Sequence, residues 1–125
     1  MSQQSLATDP LVLTFVVGTI AAICLVSAAI GPLTPRRRAA VALLGIVIDW
    51  IPVLAGWMTL NGAAPRPLLY VHLGFGVVGY LLLVYCLLAW IQGRERARQV
   101  RFAFVGIWGL AYLAGVAMVV TAWMG

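Results

Sequence analysis

The chain has 125 residues, of which 64% are hydrophobic and 9% charged, with a formal net charge of +5. Such a composition leaves no room for a water-soluble domain beside its apolar stretches, so one membrane domain is expected over residues 1–125. All eight basic residues are arginines set between the apolar stretches. They read as topology determinants and lipid-headgroup partners in a bilayer, not as a nucleic-acid surface.

Four apolar segments, at about residues 11–31, 39–60, 68–91 and 102–124, approach the ~20 residues that an α-helix needs to cross ~30 Å of hydrocarbon. The opening, Met1 to Thr8, carries no basic run. The first segment is too long for a signal-peptide core, so it is expected to stay as an anchor. Gly31-Pro32-Leu33-Thr34-Pro35 closes the first segment, and Asn61-Gly62-Ala63-Ala64-Pro65-Arg66-Pro67 closes the second. Both are breaker-rich turns, short enough to make successive helices antiparallel. Period-2 alternation is missing, which argues against a β-barrel, and helices satisfy their own backbone in lipid. The expected fold is all-α, an antiparallel bundle of four transmembrane helices.

Charge sets the expected orientation. The first loop carries Arg36, Arg37 and Arg38, and the third carries Arg94, Arg96, Arg98 and Arg101 around Glu95. The second holds only Arg66, and the amino-terminal tail holds only Asp9. Short cytoplasmic loops collect arginine, so loops one and three are expected in the cytoplasm and both termini outside. The arginine bias hints at a GC-rich bacterial genome, hence an inner membrane. Trp57, Tyr70 and Trp123 fall near the outer interface and Trp90 near the inner one, as an aromatic belt would.

In the second segment, small or polar residues recur at steps of three and four: Ala42, Gly45, Asp49, Pro52, Gly56 and Thr59. The third has a comparable stripe, His72, Gly76, Gly79, Leu83 and Cys86. Small stripes let helix backbones approach in lipid, so these two faces are expected to meet. Ala111 and Gly115 offer a shorter version on the fourth helix. Gly74-Phe75-Gly76-Val77-Val78-Gly79 matches G-x-G-x-x-G in letters, but no strand precedes it, so it reads as helix packing and not a nucleotide loop. Cys24 and Cys86 lie at different depths and are expected as two buried thiols.

Few residues offer chemistry. Asp49 lies near mid-span, where an acid costs on the order of 2.5–3.5 kcal/mol on insertion scales. Helical rise puts Tyr80 at a similar depth. One reading is a proton or cation relay in a small transporter; the other is a hydrogen bond from Asp49 to Tyr80 or a backbone carbonyl that locks the bundle. His72, the single histidine, sits about one turn below the outer surface, with Met58, Met118 and Met124 in the same outer third. One imidazole with thioethers suits Cu(I) or a His/Met haem; the alternative is an interfacial hydrogen-bonding histidine. The run from Gln92 to Arg101 could meet anionic lipid or an acidic partner, or be a solvated loop. With three acids, one histidine and no lysine, enzymatic activity is not expected.

Pro67 to Val78, an arginine-rich loop, and Arg101 to Val116 together resemble the carboxy-terminal helices of small four-helix membrane families. The order of a span with an internal acid (Asp49), a span opening on His72 and an aromatic last span (Trp108) is similar to the uncharacterised HsmA-like bacterial family. The His-opened third span and the Ile107-Trp108, Tyr112, Gly115 pattern also resemble the CtaM-like cytochrome c oxidase assembly proteins. That group carries further histidines in the first loop and before the last span, where this chain has arginine, which weakens the carry-over of haem or metal handling. The resemblance covers about residues 40–120. It implies a non-enzymatic accessory or assembly subunit of a respiratory or haem-protein complex, with other membrane subunits or further copies of the chain as partners. No cofactor is the expectation, with haem or copper at His72 as the alternative.

Overall fold

The computed structural model describes residues 10–63 and 66–124, with side-chain surroundings described throughout these except at positions 10, 52, 53 and 55–63. Every element among the described residues is a helix: α1 (Pro10–Ile30), α2 (Pro35–Ala63), α3 (Arg66–Ile91) and α4 (Arg98–Met124). At about 1.5 Å per residue, helices of 21 to 29 residues are long enough for a bilayer. By length and composition α1, α3 and α4 can each cross a membrane.

α2, α3 and α4 begin ahead of their apolar segments and take in flanking arginines, which favour the helix. Thr34 precedes Pro35 at the first helical position, where a missing N–H costs nothing. Arg36, Arg37 and Arg38 therefore belong to the first turn of α2, and Arg98 and Arg101 to α4. The α3–α4 connection is shaped by Gly93, which has φ of 76°. Its N–H donates to the Trp90 carbonyl and that of Arg94 to the Ala89 carbonyl, at 3.0 and 2.9 Å. This pair of bonds closes a helix on a left-handed residue, the conformation glycine adopts without strain.

Neighbouring helices run antiparallel, and α1 pairs most closely with α2 and α3 with α4. The tight packing within each hairpin depends on single glycines. A Cβ at Gly45 of α2 would stand 2.9 Å from the Leu25 side chain of α1, and one at Gly79 of α3 would stand 3.1 Å from Trp108 of α4. The small stripe of α2 thus faces α1 at Gly45, and the stripe of α3 faces α4 at Gly79. This corrects the expectation that the two stripes meet each other: α2 and α3 follow one another in the chain, but the close approach at Gly45 is filled by Leu25 of α1 and that at Gly79 by Trp108 of α4. Gly76 has open space around it. Gly56 lies outside the described side-chain surroundings.

The core lies toward the end where the arginines gather, called here the arginine end. Trp90, Phe104, Leu25, Leu83 and Cys86 are fully buried there or close by, among Ala28, Ala29, Ala39 and Ala42. Toward the far end, Leu69 and Met118 form a second, smaller cluster. Much apolar bulk faces outward, including Leu44, Val47, Leu54, Leu81 and Leu113. Water would penalise such an exterior and lipid would not. Trp90 was expected in an interfacial belt; its ring is instead core, with its indole N–H donating to Glu95 of the α3–α4 connection. Tyr70 and Trp123 are exposed.

Candidate functional site

The polar side chains in the middle of the helices meet across helices. Near the middle of α2 and α3, the Tyr80 hydroxyl donates to the Asp49 carboxyl. On the opposite seam, Thr19 of α1 and Tyr112 of α4 stand 2.7 Å apart. Thr19 has one hydroxyl proton and donates it to the Phe15 carbonyl at 2.7 Å, so Tyr112 is the donor of the bond that crosses to α1. Tyr112 also stacks on Trp108, with ring centroids 6.0 Å apart.

His72 lies inside the second hairpin. Its Nδ1 is 2.7 Å from the Ala111 carbonyl of α4. A carbonyl can only accept, so Nδ1 carries the proton, and in a neutral ring the lone pair is left on Nε2. The close approach is made possible by Gly115, where a Cβ would stand 3.0 Å from the imidazole Cε1. Met118 is buried against Leu69, and Met58 lies outside the described side-chain surroundings. Among the described residues no group of three histidine, cysteine or carboxylate side chains comes together. Cys24 and Cys86 are free thiols.

The arginine end holds the largest polar cluster, with Glu95 at its centre. Glu95 accepts from Arg38 Nε at 3.0 Å and from the Trp90 indole N–H at 2.8 Å, and Arg101 Nε lies 3.9 Å away. Arg38 and Arg101 also reach the last turn of α1. Arg38 Nη1 donates to the Ala28 carbonyl at 2.8 Å, and Arg101 Nη1 to the Ala29 carbonyl at 2.9 Å. Helix carboxy termini leave carbonyls without intrahelical partners and carry partial negative charge, so two guanidinium groups satisfy both needs.

This corrects the reading of Arg38 as a headgroup partner: the residue is 6% exposed and its donors point inward. The other arginines lie nearer the surface. Arg96 donates to the Tyr85 carbonyl at 3.1 Å and stacks 3.9 Å over the Tyr85 ring. Arg98 lies 5.0 Å over Phe102, Arg94 donates to Gln92, and Arg36 rests against Gly93. Arg37 is exposed. The signal for this cluster in the sequence is a lone acid, Glu95, among arginines and five residues after Trp90.

Between α1 and α4 runs an apolar groove of about 450 Å³ that opens on the outer surface of the bundle. The Thr19–Tyr112 pair lies at one end, and Ser27 and Val105 line it toward the arginine end. Nothing in the hydropathy pattern marked it; the small residues Gly109, Ser27 and Ala22 are among those that line it. No protein-family pattern, curated protein or solved structure matches this chain.

Proposed function

We propose that the chain is a four-span protein of a bacterial inner membrane that acts without catalysis, as an accessory or assembly subunit of a larger membrane complex or as a self-associating bundle. In this reading α2 is the fourth span, the arginine end faces the cytoplasm and both termini lie outside. The exposed Leu43, Leu44, Val47, Ile51 and Leu54 support a lipid-facing α2, and the clustering of seven of the eight arginines at one end supports the orientation. One observation carries the functional reading: Asp49, Tyr80, His72, Thr19 and Tyr112 are each bonded to a neighbouring helix, so the intramembrane polar groups hold the bundle together. The broad apolar exterior is left for association in the bilayer. Extraction in native-lipid nanodiscs with mass measurement tests this: a stoichiometric complex or oligomer is expected, and a strictly monomeric, partner-free species would overturn it. Single-cysteine accessibility at Ala64→Cys and Ala97→Cys, in a chain lacking its own cysteines, tests the orientation separately.

A second reading has its own support. A metal-ligating histidine commonly donates its other ring N–H to a backbone carbonyl, which fixes the ring and its tautomer. The Nδ1 bond of His72 to Ala111 is of that kind. His72 would then be one ligand of haem or copper, with a second supplied by another chain. The optical spectrum and metal content of the purified protein decide it, and a colourless, metal-free preparation ends it.

A further inference from the structure

We propose that the groove between α1 and α4 seats an acyl chain of an anionic phospholipid, whose phosphate is met by arginines at the groove's arginine end. The groove spans Thr19 to Ser27 on α1, about 12 Å at the helical rise, comparable with the roughly 15 Å of one leaflet. Ile23 and Val26 of α1 and Val105 and Trp108 of α4 give it apolar walls, and it opens to where lipid tails lie.

Its arginine end is not neutral. Arg101 stands one turn before the lining residue Val105 on α4 and reaches across to the Ala29 carbonyl of α1, two residues beyond the lining residue Ser27. Its Nε is buried and makes no hydrogen bond, with the Glu95 carboxylate 3.9 Å away. One turn further out, Arg98 is exposed at the surface. The first turn of α4 has no acidic residue, so two arginines share a helix amino terminus whose partial charge is already positive. Glu95 is shared between Arg38 at 3.0 Å and Arg101 at 3.9 Å, so one carboxylate stands against two guanidinium groups, with Arg98 in excess. A phosphate at this position supplies the missing negative charge, and the tail beneath it fills the groove. Headgroup selectivity follows: a zwitterionic lipid brings its own cation and leaves the arginines uncompensated. The proposal rests on the four-span reading above, but the measurement below is made in detergent and does not depend on orientation.

The test is thermal unfolding of the full chain in a neutral detergent with added phosphatidylglycerol or phosphatidylcholine of the same tails, together with native mass spectrometry of the retained lipid. A rise of several degrees with phosphatidylglycerol and little with phosphatidylcholine is expected, with one lipid carried per chain. Gly109→Leu fills the groove from a position where a Cβ meets nothing within 4 Å, and should abolish both the rise and the retained lipid. Ser27→Leu does the same from α1, should the first variant fold poorly. Arg98→Gln should halve the rise or more. Equal response to the two lipids, an undiminished response in both groove-filling variants, the same rise from inorganic phosphate, or a lipid-free dimer burying the groove would overturn the proposal. If the lipid response stands while cysteine accessibility fails, the four-span reading falls and the groove assignment remains.

Discussion

Replacing Glu95 with alanine should be the most damaging single change among the described polar residues. The Trp90 side chain is fully buried and would lose the acceptor of its indole N–H. An orphaned buried donor costs about 1–3 kcal/mol. Arg38, 6% exposed, would keep its bond to the Ala28 carbonyl but lose its counter-charge. Breaking a fully buried ion pair costs about 3–5 kcal/mol. The Glu95 side chain, however, is 38% exposed, so water reaches one partner and that figure is an upper bound. Together the two losses give about 3 kcal/mol for Glu95→Ala. Glu95→Gln retains an acceptor but no charge and should cost about 1–2 kcal/mol. Reversible unfolding in mixed micelles, followed by circular dichroism, reads both values. A double-mutant cycle with Trp90→Phe should return a coupling of about 0.5–1.5 kcal/mol. Glu95→Ala within about 0.5 kcal/mol of wild type, or strict additivity with Trp90→Phe, would refute the cluster's assigned role.

Gly79→Ala sets a Cβ 3.1 Å from Trp108 and should destabilise by about 1–2 kcal/mol. Gly76→Ala, with open space around it, should be neutral or stabilising by up to about 1 kcal/mol; the same unfolding assay compares the two, and equal effects would contradict the hairpin packing. Asp49→Ala and Tyr80→Phe should each cost about 0.6–1.7 kcal/mol, the range for interhelical hydrogen bonds in membranes, with little added in the double variant. Asp49→Asn keeps an acceptor for Tyr80 and should leave both stability and ion flux in liposomes near wild type; abolished flux would instead establish a transport role. His72→Ala should lower stability by a similar about 0.6–1.7 kcal/mol without changing the visible spectrum, and a lost absorption band would favour the cofactor reading.

Helix number and rough bounds were legible because hydropathy over some twenty residues is a property of composition, which survives ignorance of packing. The depth match of Asp49 and Tyr80 was legible too, since rise along an axis depends only on counting, and a hydrogen bond joins that pair. Azimuth was not legible. Counting says which residues share a face of α2, but not that Gly45 turns that face toward α1. Arg38 was misjudged for a related reason: position in a basic run says it lies at a membrane edge, and cannot say that the α1 carboxy terminus ends beside it with Ala28 in need of a donor. Trp90 looked interfacial until the turn at Gly93 brought Glu95 back beneath it. In each case the missing information was which helix end meets which side chain.

The two kinds of contact divide the work of the fold. Within each hairpin, glycine against a large side chain brings backbones close, at Gly45 on Leu25 and Gly79 on Trp108. Between the hairpins, side-chain bonds among the described residues cross the seam, including Asp49 to Tyr80, Thr19 to Tyr112, Arg38 to Glu95, and Arg101 to the Ala29 carbonyl. Bonds of this kind in lipid are modest, about 0.6 kcal/mol on average, so they add only a few kcal/mol in total. Their larger effect is on register. A hairpin slipped by one turn, about 5.4 Å, would leave a carboxyl in hydrocarbon and a buried guanidinium without its carbonyl. Apolar packing tolerates such a slip far better than unpaired polar groups do. The polar residues scattered through this apolar chain thus act as a key that admits one docking of its two halves.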